Sequence, residues 1–213
     1  MENILAGLEL FQKGGLVMYV LLFCSLFVMV IGLERFQYFH RMDSGRAFAR
    51  DFFIRMGKED YTGALSLARE SSGSVAEIIV QAVERAAEGQ EVSSFMEIQS
   101  GIALAHFRRR LYYLNVIVTM APLLGLLGTI SGMISAFSVF NVQSAQAAAI
   151  TGGVGEALIA TAFGLCVAIM ALAIHAFFVQ WVENIITDME QTFSLVEAKQ
   201  VELTKAGAVY AFA

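Results

Sequence analysis

The sequence predicts an all-α membrane protein with three transmembrane helices, its N-terminus outside and a helical domain in the cytoplasm. Composition is the first reason: 57% of residues are hydrophobic, mean hydropathy is +0.65 and 15% are charged, against about 25% charged in soluble domains. The second is a run from Leu111 to Gly155 without one charged side chain; after Glu156 it continues from Ala157 to Val182 with only His175 able to titrate. The third is Gly14 to Leu33, twenty uncharged residues between Lys13 and Glu34. About 20 apolar residues suffice to cross the roughly 30 Å hydrocarbon layer.

Residues 1–13 form an N-terminal segment. Ile4, Leu5, Leu8 and Phe11 recur at helical spacing, so this stretch either lies flat in the outer interface or extends the first span. The first span is placed at 14–36. It reads as a retained helix rather than a signal peptide: Glu2 and Glu9 stand where a basic n-region belongs, no A-x-A-like site follows, and Glu34-Arg35 with His40-Arg41 form a stop-transfer flank.

Residues 37–112 form the cytoplasmic domain, which reads as helix throughout. Ser74 with Glu77 and Ser94 with Glu97 match capping boxes. Gly57, Gly73 and Gly89 mark breaks, and no strand-like alternation occurs. The domain carries no GxxxxGK[ST] phosphate loop, no His/Cys cluster at metal spacing and no nucleophile–base pair, so neither enzymatic chemistry nor a cofactor is expected, and no nucleic-acid partner. Arg108-Arg109-Arg110 reads as the basic flank of a span rather than a partner site.

The 45 uncharged residues from Leu111 to Gly155 would make a helix of about 68 Å, so they must contain a break. Asn-Val-Gln-Ser-Ala-Gln from Asn141, with Gly152, Gly153 and Gly155 after it, supplies one between Asn141 and Thr151. The second span is placed at 113–140, a short outer loop at 141–147, the third span at 148–178 and a C-terminal cytoplasmic helix and tail at 179–213. The helix around Leu111 to Val142 would be about 48 Å long, so part of it packs on protein beyond the hydrocarbon.

Orientation follows from the basic residues: of 14, one precedes the first span, eleven lie between Arg35 and Arg110, none separates the second and third spans, and two follow the third. Basic loops stay cytoplasmic, which places the N-terminus and the Asn141 loop outside. Cys24 and Cys166 fall within spans, where small polarizable side chains pack. His175, near the inner end of the third span, is either an ordinary bundle-facing histidine or a proton relay.

Gly125, Gly128, Gly132 and Ala136 recur at spacings of three and four, and Gly153, Ala157, Ala160, Gly164, Ala168 and Ala171 make a similar stripe. Such stripes let helix backbones approach closely in lipid, so both spans are expected to have protein neighbours. Glu156 is a carboxylate inside an apolar run, which makes it a functional candidate. It is either a helix-start acid near the outer head groups or an acid within the bilayer. The stretch Ala145 to Ile150 supplies further apolar residues upstream, which favours the deeper place.

Ala121-Pro-Leu-Leu-Gly-Leu-Leu-Gly-Thr-Ile-Ser-Gly-Met-Ile-Ser-Ala-Phe137 and Gly155-Glu-Ala-Leu-Ile-Ala-Thr-Ala-Phe-Gly-Leu165 closely resemble the signature of the MotA/TolQ/ExbB proton channel family, in its shorter ExbB/TolQ branch and most like ExbB. One departure is Met170, within Ala168-Ile-Met-Ala171, where that branch has proline; the proline basis for a kink is absent here. The resemblance implies a homopentamer in the bacterial inner membrane whose second and third spans enclose a pore. Two copies of an ExbD/TolR-like single-span partner, each with a membrane aspartate, would sit inside, and a TonB/TolA-like arm protein would deliver the work. It places the ion pathway at Thr129, Thr161 and Glu156, with His175 secondary and Gly125, Gly128, Gly132 and Gly164 as helix-packing residues. The function implied is conversion of the proton motive force into mechanical work on the envelope. That work is either TonB-dependent outer-membrane transport or TolQ-like envelope maintenance. H⁺ and Na⁺ both remain open as the ion. A non-conducting membrane scaffold is the alternative; a flagellar stator, with its four spans, fits less well.

A threonine hydroxyl both donates and accepts, so it can serve a partner carboxylate without the cost of a second buried charge. The competing role for Thr129 and Thr161 is a bond back to their own helix carbonyls. Glu156 and Thr161, five residues apart, differ by about 140° around an ideal helix and cannot share a narrow face.

Overall fold

The computed structural model of the chain describes the backbone of residues 15–140 and 147–211, and within them all side chains except those of 138–140, 147–151, 156 and 208–211. The described residues form eight helices and no strand: α1 (Gly15–Met42), α2 (Gly45–Gly57), α3 (Tyr61–Glu70), α4 (Ser74–Ala87), α5 (Ser93–Arg108), α6 (Leu111–Phe140), α7 (Ala147–Ala198) and α8 (Gln200–Ala211). Three of them, α1, α6 and α7, are long and apolar enough to cross a membrane. The expected interfacial stretch Met1–Gln12 and residues 141–146 of the expected outer loop lie outside the described residues. The described residues divide into two compact units, those within 1–33 and 110–177, and those within 34–109 and 178–213.

In the first unit each apolar helix buries one stripe and leaves the rest bare. Along α1 the buried positions are Met18, Leu21, Cys24, Val28 and Ile31, while Leu16 is 82% and Phe23 69% exposed. A helix apolar all round with only one protein-facing stripe is suited to lipid. Phe27 meets the Tyr113 ring edge-on at 6.3 Å, and a Cβ on Gly32 would touch Ile174 at 3.4 Å, so α1 flanks the other two apolar helices. Pro122 lies inside α6, where its missing N–H releases the Val118 carbonyl from the helical ladder. Met170 sits within the uninterrupted α7.

The second unit is a helical domain in which α2 packs on α3, α4 on α3 and α5, and α8 on α3 and α4. Phe39 is fully buried, its ring 5.0 Å from Phe107 and 5.2 Å from both Phe178 and Trp181. Buried beside this cluster, Arg35 donates to both Glu34 carboxylate oxygens at 2.8 and 2.6 Å and to the carbonyls of His106 and Arg109 at 3.1 Å. The guanidinium thus satisfies carbonyls at the end of α5 that have no helical partner. Sequence alone read this arginine as a flank.

Gly57, Gly73 and Gly89 do stand at helix ends, but the two capping boxes do not form. The first residue of α4 is Ser74 itself, its N-cap being Gly73 at φ +110°, and no side chain of the cap bonds the helix. The hydroxyl of Ser44, thirty residues earlier, accepts from the Ala76 N–H at 3.1 Å instead. A Cβ on Gly73 would stand 2.5 Å from the Ser44 nitrogen, so glycine is required both for the backbone angle and for the approach of this remote cap. In α5 the helix starts at Ser93 after Val92, and Ser94 donates to the Glu91 carboxylate at 2.9 Å; the box register is displaced because the helix begins earlier than the box demands. Asp60 does cap α3, accepting from the Gly63 N–H at 3.0 Å.

Candidate functional site: a threonine on a glycine-lined helix pair

The two small-residue stripes face each other. A Cβ built on Gly128 would stand 2.6 Å from that of Ala160, one on Gly132 2.8 Å from Ala157 Cβ, and one on Gly153 2.6 Å from Ala136 Cβ. Partners descend along α7 as they ascend along α6, so the helices run antiparallel. The approach is tightest at Gly164, where a Cβ would lie 2.6 Å from the Ala121 carbonyl oxygen and 3.0 Å from Gly125 Cα. At this level backbone touches backbone, a closeness that only small residues permit.

Thr161 sits at that level. Its hydroxyl donates to the Gly125 carbonyl on α6 at 2.8 Å. Gly125 makes the reach possible, because a Cβ there would stand 3.0 Å from Thr161 Cα. The same carbonyl is the α-helical acceptor for the Thr129 amide four residues on, and its two lone pairs serve both. The Thr129 hydroxyl turns back to its own helix, donating to Leu126 O at 2.7 Å. The two candidate threonines therefore differ: Thr161 binds across the helix pair, while Thr129 has the local bond common to helical threonines. Both are partly exposed.

Glu156 belongs to α7, and its side chain lies outside the described residues. His175 is half-buried on α7, fourteen residues and so about 21 Å beyond Thr161 along the axis; the structure does not bring it to the threonine. Among the described residues no group of three or more His, Cys, Asp or Glu is placed to hold a metal ion. Cys24 is buried, Cys166 is exposed, and neither is in a disulfide.

A second polar group lies in the other unit. Asp43 accepts from the Gly45 N–H at 2.9 Å and from the Trp181 indole N–H at 2.6 Å, and Arg46 donates to Asn184. Burial raises the Asp188 carboxyl above its ordinary value; Arg46 draws it down and Asp43 pushes it up. Sequence reasoning passed over this group, since its members come from distant stretches and match no motif.

An all-helical chain with three apolar helices and a glycine-lined pair bearing a cross-helix hydroxyl defines a multi-pass membrane protein. Residues 68–191 match the MotA/TolQ/ExbB proton channel family, and the chain belongs to that family. It is 26% identical over 197 residues to a biopolymer transport protein ExbB homolog of Methanothermobacter thermautotrophicus, covering 86% of this chain and 66% of that one. It is 32% identical over 177 residues to a biopolymer transport protein ExbB-like 1 of Synechocystis sp., covering 78% of this chain and 68% of the relative. The chain thus spans about two thirds of the length of these relatives.

Proposed function

We propose that this protein is an ExbB/TolQ-type ion-channel subunit of a motor in the bacterial cytoplasmic membrane. Its helices α6 and α7 line the ion path, with Thr161 as the hydroxyl that serves the moving ion. The observation that carries this reading is the Thr161 bond to Gly125 at the closest approach of the two helices. Hydroxyls bonded across close helices also serve plain packing, so it is the family match over this stretch that favours an ion-path role for this one. Family membership supports the wider scheme: a homopentamer with its N-terminus outside and two ExbD/TolR-like single-span partners whose aspartates meet the hydroxyls. A TonB/TolA-like arm carries the work to TonB-dependent outer-membrane transport. Glu156 is assigned to the same path on the resemblance alone.

The test is Thr161→Val, which keeps the side-chain shape and removes the hydroxyl. In proteoliposomes with the partner protein, proton flux is expected to fall at least about tenfold, the effect of one lost hydrogen bond of about 1.4 kcal/mol in the limiting step. Thr161→Ser should retain most of the flux, with oligomer size unchanged in both variants. Wild-type flux from the valine variant overturns the assignment and leaves a scaffold.

A further inference from the structure

We propose that α2 of one copy docks on the α4–α5 cleft of the next, with Phe53 entering the cleft and Arg50 reaching Glu77 at its rim. This rests on the self-assembling reading above but concerns residues of the second unit, whereas the ion path is assigned to the first. The cleft is a cavity of about 150 Å³ whose lining includes Met42, Ile78 and Ile102 with Glu77, Gln81 and Gln99. A volume of that order takes a benzene-sized group. The polar lining is Tyr38, Ser74, Glu77, Gln81, Gln99 and His106; Glu77, which accepts from Gln81 at 3.3 Å, is its one carboxylate and the group suited to a guanidinium. Ile98 and Ile102 on α5 are 61% and 48% exposed.

The same chain carries the complement on a different helix pair. Phe53 and Ile54 on α2 are 55% and 45% exposed, and Arg50 lies three residues before Phe53, so ring and guanidinium share a face. Among the described residues Arg50 is bound only to its neighbour Asp51, at 3.3 Å and in solvent, a pair worth little and readily exchanged. The cleft is lined by the end of α1 together with α4 and α5, whereas α2 packs on α3, and Phe53 remains open in the protomer. The complement therefore comes from a second copy. Two unlike patches of one chain meeting in this way make a heterologous contact, which closes into a ring when the rotation between copies divides a full turn.

The test uses the full chain in nanodiscs with Phe53 replaced by p-benzoylphenylalanine, an exposed site whose change leaves the core alone. Copies labelled with ¹⁴N and ¹⁵N are mixed before assembly, and native mass spectrometry reports the copy number. Irradiation is expected to give mixed-isotope links into residues 74–106, and Arg50→Glu should remove most of that yield. An assembled particle linked only to lipid, to another polypeptide, within one copy or to nothing overturns the proposal, as does a yield indifferent to Arg50→Glu. A particle that stays single-copy overturns this contact and the self-assembling reading together.

Discussion

Gly164→Ala should loosen the α6–α7 pair although it adds a single methyl. That carbon would stand 2.6 Å from the Ala121 oxygen and 3.0 Å from Gly125 Cα, whereas carbon contacts are comfortable near ~3.5 Å. Both obstacles are backbone and cannot rotate aside, so the helices must part by up to about 1 Å at this level. Overpacking of this kind costs about 1–3 kcal/mol, and the better helix propensity of alanine returns up to about 1 kcal/mol. A net loss of up to about 2 kcal/mol lowers the apparent Tm by up to roughly 8 °C for a chain of this size. The assay is fluorescence-detected size exclusion after heating, with all variants compared at one scan rate. Gly155→Ala is the control on the same helix, since its Cβ would meet nothing within 4 Å; its midpoint should equal or exceed that of the parent. Parting the helices also draws Thr161 away from Gly125, so proton flux should fall together with stability. A Gly164→Ala protein at or above the parental midpoint would refute the claim that backbone contact sets this spacing.

Arg35→Ala should destabilise the second unit by about 2–3 kcal/mol, since charged hydrogen bonds to the α5 carbonyls are lost from a buried site. Hydrogen exchange at the end of α5 should quicken, and Arg35→Lys should not restore it because an ammonium lacks the planar fork. Asp188→Asn should raise the Tm at neutral pH. The native carboxyl is raised above its unfolded value of 3.8, so the folded state binds the extra proton and wild-type stability falls as pH rises through the raised pKa. The advantage of the asparagine variant should therefore shrink as pH is lowered through that range; a constant gap across pH contradicts the stated cause. Ser44→Ala, which removes the remote cap of α4, should cost about 1 kcal/mol, read as a lower denaturation midpoint with an unchanged slope.

The three apolar helices were legible because their message is local: a run without charge has one reading in any fold. The breaks at Gly57, Gly73 and Gly89 were legible for the same reason. The stripes on α6 and α7 announced close neighbours, but spacing alone has no way to say that each stripe's neighbour is the other. What escaped sequence reasoning depends on residues far apart in the chain. Ser74 and Ser94 carried the right letters for caps, yet Ser44 caps α4 from thirty residues away and Val92 precedes α5. Arg35 looked like an interfacial charge until the α5 carbonyls came round to it. The reach of α7 to Ala198 was hidden by a change from apolar to mixed composition, although no glycine or proline occurs from Leu165 to Ala206 to stop a helix. Thr161 and Thr129 look alike in sequence, and it is the glycine opposite Thr161 that separates their hydrogen bonds.

The single hydrogen of the Thr161 hydroxyl is already committed to a carbonyl, so what it shows to anything passing is its lone pairs. Such a surface welcomes a visitor that brings its own hydrogen or positive charge, such as a neutral carboxylic acid, a water or a cation. It offers nothing to a bare anion until the Gly125 bond is broken. A carboxylate reaching this point must therefore arrive protonated or displace the Gly125 carbonyl to stay; under the proposed ion path, proton uptake would come first and the encounter with the threonine second.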